Sequence, residues 1–318
     1  MIEFPDAPAT YDSVDFEMIM NQPGYSHLNY DNTGSFRDFY QEISYGQFLP
    51  ISEVGNWITA PFDHNYYGYN NPNGWNHVRQ LVRAMVDSLE AQGFDWSQYD
   101  NDNDGYVDAL NVLHQGEGAE QGDHSNIWSH KSSLGNLSVT YDGVTISSYT
   151  MNPEIQSGNI VAIGVLAHEF GHALGLPDLY DTDYSSTGAG KLALMGSGSW
   201  GTSGNSPWYP ATMVGWCKNE LGWVNVVEMI DDTDGISLQQ SYSNNTIIKV
   251  DHPQATAEYW LIENRQKIGS DTLMPAPGLA IWHINDNIAQ GWSPNTNEPY
   301  YGIGLEQADG QFALENGG

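Results

Sequence analysis

The 318-residue chain has one cysteine, few basic residues and no long apolar run. Because Cys217 has no second cysteine to pair with, an internal disulfide is excluded. Lysine and arginine number 9 against 40 acidic residues, for a formal net charge of −31. This field repels nucleic acid and anionic lipid and attracts divalent cations. Because of this charge we expect no nucleic-acid partner. Since no apolar stretch is long enough to cross a bilayer, we also expect no membrane insertion.

What the chain does contain is typical of a folded protein, with 40% hydrophobic and 12% aromatic residues. Apolar residues at helical spacing predict a helix over 76–93, and an apolar run predicts a buried strand over 107–113. Asp142-Gly143, between two alternating segments, predicts a hairpin. Further helices are predicted over 159–174, with Asn159 as N-cap, and over 210–222, starting at Pro210. Strands are predicted in five later segments: 235–243, 245–252, 257–266, 278–286 and 302–309.

The stretch "AHEFGHALGLPDLYD", which starts at Ala167, carries the strongest chemical signal. His168 and His172 are four residues apart, so one face of a helix presents both imidazoles to a shared zinc ion. Glu169 lies beside that face, where a general base can take a proton from water. Gly175 can end the helix in a left-handed conformation and return the chain, so that Asp178 supplies a third ligand. Three protein ligands with one open position are typical of catalytic zinc.

Two alternatives stand beside this interpretation. The segment could be an ordinary core helix with hydrogen-bonded histidines, although a buried Glu169 without a task would be costly. Asp181 and Asp183 could replace Asp178 as a ligand or bind another cation, although the offset from Gly175 favours Asp178.

The motif "HEFGHALGLPD" resembles that of the metzincin-like zincins in the version that ends in aspartate, and more closely that of the immune inhibitor A family of secreted bacterial metallopeptidases. Stretches such as "YQEISYGQF", "DNDNDGYVDALNVLHQGEG", "LALMGSGSW" and "YWLIENRQ" extend the resemblance over nearly the whole chain. It implies a zinc endopeptidase with His168, His172 and Asp178 as zinc ligands and Glu169 as general base and acid. It also implies that Met195 forms a tight turn beneath the metal without binding it.

These observations predict an α+β fold. We expect a zincin-like, metzincin-type catalytic core over 1–225, with a twisted mixed sheet, an active-site helix and a C-terminal helix. A β-rich part over 226–318 would pack on that core. In zincins the strand before the active-site helix binds substrate as an added strand, a role that residues 144–150 could fill unless they form an internal strand.

A second metal signal is the acidic loop "DNDNDGYVD". Its spacing matches the start of an EF-hand-like loop, with a sharp turn at Gly105 and Asn111 in place of the bidentate glutamate. We therefore predict a structural Ca²⁺ site, and a solvated acidic turn is the alternative. The ligands would be the carboxylates of Asp100, Asp102, Asp104 and Asp108 and the backbone carbonyl of Tyr106.

Weaker signals lie in "HQGEGAEQGDHSNIWSH", where His114, Glu117, Glu120, Asp123, His124 and His130 could form a second metal site, although a polar loop is the simpler interpretation. The functional expectation is a secreted, monomeric zinc endopeptidase acting on proteins or peptides, cut from a longer precursor. The rivals are a calcium-stabilised extracellular binding or adhesion module with non-catalytic zinc, and a zinc hydrolase acting on a non-peptide bond.

Overall fold

The computed structural model describes residues 1–26, 34–229 and 236–316. They form two compact units. The first unit consists of Met1–Met18 and Glu53–Ala162, and the second of Ile19–Ser52 and the chain from Ile163 onward. The predicted division between residues 225 and 226 does not coincide with a boundary between these units. The separation of a catalytic core from a β-rich extension at that point stays a prediction.

Helices and strands both contribute to the described chain, which confirms the α+β class. The α-helices are α1 (Ser13–Asn21), α2 (Phe36–Ile43), α3 (His64–Tyr67), α4 (Gly74–Ala91), α5 (Ile163–Ala173), α6 (Gly215–Glu220) and α7 (Asp286–Ala289). The strands are β1 (Ile2–Glu3), β2 (Ile58–Thr59), β3 (Asn111–Glu117), β4 (His130–Ser133), β5 (Val139–Tyr141), β6 (Val144–Ile146), β7 (Ser148–Gln156), β8 (Asn159–Ile160), β9 (Asn225–Glu228), β10 (Thr246–Asp251), β11 (Glu258–Arg265), β12 (Gly278–Asn285) and β13 (Ile303–Leu305). None of the described helices is long and apolar enough to cross a membrane.

The first unit is built on a mixed sheet in the order β2-β1-β3-β7-β4, with β8 on the end of β7. Strands β1, β2, β3 and β7 are parallel, whereas β4 and β8 pair antiparallel to β7. The apolar face of α4 is buried in a core with Val112 and Met151 from the sheet. This confirms the predicted helix, since its buried residues recur at the helical period.

The strand predicted over 107–113 begins later, at Asn111. Val107 is buried, but its N–H donates to Thr145, and the N–H of Asp108 donates to Tyr99. Residues 107–110 are therefore a loop in which Val107 is buried and Asp108 and Ala109 are exposed, and the side-chain pattern alone does not separate this loop from the strand that follows.

The predicted hairpin is confirmed, with β5 and β6 joined by Asp142 and Gly143 at φ of 51° and 88°. Both φ values are positive, as a two-residue hairpin turn of this type requires. The following strand β7 is internal, because Thr150 pairs with Asn111 on one side and Lys131 on the other. Its backbone at Thr150 is thus not open to an added strand.

The second unit contains a sheet in the order β13-β12-β11-β10-β9, antiparallel except for the parallel pair β9 and β10. The strands predicted in 245–252, 257–266 and 278–286 are confirmed, and that in 302–309 is shorter. The strand predicted over 235–243 is wrong from residue 236 onward, where Gln240 makes only an isolated bridge to Asn264. Residue 235 lies outside the described residues. Strand β9 was not predicted.

Two predicted helix starts are wrong. Asn159 lies in β8, and α5 begins at Ile163. Pro210 does not start a helix, because Ala211 donates to the carbonyl of Gly198 and Thr212 accepts from Leu194, which holds this segment outside a helix until Gly215. In both cases tertiary hydrogen bonds outweigh a local start signal.

Two histidines are buried in the first unit, His114 with 1% and His130 with 8% of its surface exposed. Burial lowers the pKa of each to about 4. In each ring Nδ1 lies within hydrogen-bond distance of a backbone carbonyl, that of Gln115 or Trp128. Because a carbonyl only accepts, each Nδ1 carries the proton, and both rings are neutral at pH 7.

We predict that the protein loses stability as the pH falls from about 6.5 to about 4. Over this interval the unfolded chain binds protons at these histidines while the folded chain does not. A pKa lowered from 6.5 to about 4 corresponds to on the order of 3 kcal/mol per residue once the pH is below both values.

The measurement is Tm against pH for wild type, His114→Leu and the exposed control His124→Asn. The slope between pH 6.5 and 4 should shrink in His114→Leu and persist in the control. An equal slope in all three proteins would contradict the assignment.

Candidate metal centre

Helix α5 and the turn after it create the site. The helix is apolar and buried over Ile163–Ala167, and His168 and His172 follow on one face. It ends where Gly175, at φ of +97°, turns the chain back. The N–H groups of Gly175 and Leu176 donate to the carbonyls of His172 and Gly171, which satisfies the helix end. The predicted role of Gly175 is thus present in the backbone.

The turn brings three polar side chains together. Nε2 of His168 and Nε2 of His172 lie 3.1 and 3.2 Å from Oδ1 of Asp178. These three residues form one of the two groups in the described chain whose ligand atoms are close enough to hold a metal ion. Asp181 and Asp183 are not in that group. The carboxylate of Asp181 instead accepts hydrogen bonds from Asp183 and Ser186 within its own loop.

The protonation of the two histidines is constrained from behind. Nδ1 of His168 lies 3.0 Å from the carbonyl of Leu194, and Nδ1 of His172 lies 2.8 Å from the carbonyl of Leu176. Because a carbonyl only accepts, each Nδ1 carries the proton. Nε2 is therefore the nitrogen that each ring directs toward Asp178, as a hydrogen-bond donor when it is protonated and as a metal ligand when it is not.

This donor set fits zinc. Two imidazole nitrogens at 3.1 and 3.2 Å from one carboxylate oxygen are held there by a second proton on an imidazole or by a cation between the three atoms. Ligands around a tetrahedral Zn²⁺ at about 2.0–2.2 Å are themselves separated by about 3.3 Å. The nitrogen and oxygen atoms are thus placed as zinc requires, with each imidazole oriented by a second hydrogen bond.

Charge is concentrated at this centre. Burial by itself raises the pKa of Asp178, but hydrogen bonding to His168 and His172 outweighs burial and holds that pKa well below its usual range. Asp178 is therefore ionised at neutral pH, as a metal ligand must be.

Tyr180 belongs to the site and was not anticipated from the sequence. Its ring lies over that of His168, with 6.1 Å between centroids and 24° between planes. Burial raises its pKa well above the usual value, and the charges of Asp178 and Glu169 and a hydrogen bond to Asp178 raise it further. The phenol is therefore protonated, and it lies close to the ligand carboxylate. Its position two residues after Asp178 is the only sequence signal for this role.

Glu169 is buried on α5 next to His168. Because its charge raises the pKa of Tyr180, its carboxylate lies near the same cluster as Asp178. Glu169 is outside the group of three that could hold a metal, and its role as general base stays a prediction.

Met195 packs against α5, while the turn beneath the metal that the resemblance implied stays a prediction. A Cβ atom on Gly171 would come within 2.4 Å of its Sδ, so the thioether occupies the space left by the glycine. The backbone here also holds the site: the carbonyl of Leu194 orients His168, and the carbonyl of Met195 accepts the N–H of Leu179. Met195 itself is fully buried.

The acidic loop forms the second group. Asp100, Asp102 and Asp108 bring carboxylate oxygens within 4.8 Å of one another. Asp104 is not in this group, and its carboxylate accepts the N–H of Tyr106. Asp104 and the carbonyl of Tyr106 therefore stay predictions as ligands.

The weaker candidates do not converge. Among the described residues, none of the six acids and histidines between His114 and His130 belongs to a group that could hold a metal. Glu120 accepts hydrogen bonds from Ser129, and Asp123 accepts them from Ser125. The simpler interpretation, a polar loop with oriented histidines, agrees with these contacts.

Comparison with known proteins agrees with this geometry. Residues 8–224 match the family described as immune inhibitor A peptidase M6, catalytic domain. The chain is 29% identical to the pre-pro-metalloprotease PrtV of Vibrio cholerae serotype O1 (strain ATCC 39315 / El Tor Inaba N16961) over 321 residues, which cover 81% of this chain and 34% of that protein. It is 31% identical to immune inhibitor A of Bacillus thuringiensis subsp. alesti over 259 residues, which cover 69% of this chain and 37% of that protein. The chain thus spans about a third of each relative.

By similarity the chain belongs with the metallopeptidases of the hydrolase class, and a group of side chains that could hold a metal agrees with this. Within that class the chain belongs to the immune inhibitor A family, peptidase family M6.

Two glycines of α5 allow a matched test of this packing. A Cβ on Gly164 would lie 1.9 Å from the backbone carbonyl oxygen of Ser199, whereas a Cβ on Gly171 meets the flexible end of Met195. Alanine favours the helix at both positions by roughly 1 kcal/mol. We expect Gly164→Ala to lower the free energy of unfolding by about 1–3 kcal/mol, because a backbone oxygen cannot rotate away.

Gly171→Ala should cost clearly less, because the thioether can adopt another rotamer. Urea unfolding of both variants gives the comparison. A larger loss in Gly171→Ala than in Gly164→Ala would show that this account of the packing is wrong.

Proposed function

We propose that the chain is the catalytic part of a secreted, zinc-dependent endopeptidase with a metzincin-type zincin fold, which cleaves peptide bonds in proteins. The observation that carries the proposal is the convergence of Nε2 of His168, Nε2 of His172 and Oδ1 of Asp178. A binding module would have no need of two imidazole Nε2 atoms directed at the half-buried carboxylate of Asp178. Secretion is proposed from the family resemblance and from the strongly acidic surface, and we propose a monomer.

The chemistry follows from the residues around the ligands. Zinc, when bound, polarises a water molecule and the peptide carbonyl. The Glu169 carboxylate accepts the proton of the attacking water and then passes it to the nitrogen of the leaving amine. Asp178 and the two histidines hold the cation, and the carbonyls of Leu194 and Leu176 keep each imidazole in the tautomer that binds metal. Tyr180 keeps Asp178 in place.

A second proposed cofactor is structural Ca²⁺ in the acidic loop. The proposal is supported by the three clustered carboxylates and by the turn at Asn103 and Gly105, both with positive φ. Carboxylates this close repel one another in the absence of a cation. The loop connects the end of the Trp96–Tyr99 turn to β3, so a bound ion would fix where that strand begins.

Separate variants test the base and the ligands. Glu169→Gln should retain about one Zn²⁺ per chain yet lose casein hydrolysis by at least a hundredfold, because the general base is gone while the ligands are intact. His168→Ala should lose both zinc and activity.

Zinc content by mass spectrometry and hydrolysis of fluorescent casein give the two readouts. Glu17→Gln, a substitution on α1, serves as the control and should match wild type in both. Full activity in Glu169→Gln would contradict the proposed role of this residue as general base. Wild-type protein that contains no zinc would contradict the proposed metal site.

The calcium site predicts a stability effect. An ion present at a hundred times its Kd stabilises the folded chain by about 2.7 kcal/mol, so saturating Ca²⁺ should raise Tm by roughly 5 °C over a sample treated with a calcium-selective chelator. Asp102→Asn should reduce this increment, while Asp309→Asn, outside the loop, should keep it. Scanning calorimetry in the Glu169→Gln background excludes self-digestion as a cause. The same Tm with and without Ca²⁺ would contradict the site.

A further inference from the structure

A cavity of about 390 Å³ lies beside the metal centre and is not used by the chemistry described above. It is lined by the turn Leu174–Pro177, by Trp216 and Leu221 at α6, and by Trp292 after α7. The volume falls in the range of sites that bind small ligands or side chains.

The cavity adjoins the metal centre through the chain itself. Residues 174–177 join His172 to Asp178, and the carbonyl of Leu176 accepts the hydrogen bond that orients His172. One wall of the cavity is therefore the same turn that links two of the three proposed ligands.

The walls combine apolar surface with one sign of charge. Trp216 is buried, with 2% of its surface exposed, whereas Trp292 has 78% exposed. Glu220 is exposed at the cavity, and Gln290 donates to its Oε2 at 3.3 Å. The lining residues include no lysine or arginine. Lys218, two positions from Glu220, is buried and directed at Tyr45. The cavity therefore presents aromatic and aliphatic walls with an uncompensated carboxylate.

We propose that this cavity is a specificity subsite for an arginine side chain of the substrate, an inference that rests on the proposed endopeptidase function. An arginine has the two features that the walls complement: its aliphatic stem packs on apolar surface while its charged end stays near water. Its planar guanidinium stacks on an indole such as Trp292 and pairs with a carboxylate such as Glu220. An acidic side chain would meet Glu220 with like charge, and a purely aliphatic one would leave that carboxylate unused.

Binding is tested without catalysis. The metal-free protein, labelled with ¹⁵N, is titrated with N-acetyl-arginine amide or N-acetyl-norleucine amide, and the indole N–H signal of Trp292 is followed after assignment through Trp292→Phe. The arginine amide should shift this signal in a saturable way, and Glu220→Gln should weaken the binding about fivefold. Equal shifts with both amides, or binding unchanged by Glu220→Gln, would overturn the subsite.

Catalysis gives the second test. Matched peptides carry arginine or norleucine at each position around the scissile bond, and kcat/KM is measured for wild type, Glu220→Gln and the control Glu228→Gln. Glu228 is exposed and lies outside the cavity. At one position arginine should be preferred about fivefold through KM, and Glu220→Gln alone should remove the preference.

The two proposals fail differently. Cleavage that depends on Glu169, with no arginine preference or with one that survives in Glu220→Gln, would overturn the subsite and leave the endopeptidase standing. A wild type that cleaves none of the peptides would overturn the endopeptidase.

Discussion

The metal centre depends on the close approach of two imidazole nitrogens and a carboxylate oxygen, which backbone carbonyls help to hold in place. One carboxylate oxygen lies 3.1 and 3.2 Å from two imidazole nitrogens, and a carbonyl behind each ring fixes a proton on the far nitrogen. The three near atoms repel one another when both near nitrogens are unprotonated, and a cation between them turns that repulsion into attraction. The proposed catalysis follows from this arrangement, because a cation held by three protein ligands keeps a position for water.

The rest of the second unit holds these three groups in place. Glycine at two positions of α5 lets the helix approach Ser199 and Met195 closely, and the backbone around Met195 bonds to His168 and to Leu179, next to Asp178. On another side of α5, the hydroxyl of Tyr40 donates to the carbonyl of Ala167, and Phe170 packs with aromatic rings that include Phe48. The ligands are thus fixed by close packing and backbone hydrogen bonds, which explains how buried polar groups keep one geometry.

The negative charge of the chain includes carboxylates at two of the sites described above. It is concentrated in the acidic loop, where three carboxylates converge, and it is present as one uncompensated carboxylate at the cavity beside the metal turn. With 9 basic residues against 40 acidic ones, few cations of the chain itself are available to neutralise such clusters. Cations from outside, whether a bound ion or a side chain of a substrate, are the natural complement.

Features set by neighbours in the chain could be predicted from the sequence. The helical spacing of His168 and His172, the left-handed glycine that returns Asp178, the hairpin at Asp142-Gly143 and the main β-rich segments all follow from local geometry. What the sequence could not determine depended on partners distant in the chain. Thr145 keeps Val107 outside the strand, Gly198 and Leu194 keep residues 211–212 outside a helix, and Tyr180 joins the metal centre because the turn folds it over His168. The same holds for the carbonyl of Leu194 that orients His168 and for the cavity formed by segments more than a hundred residues apart. A sequence pattern records the periodicity of one segment and not which other segment packs against it.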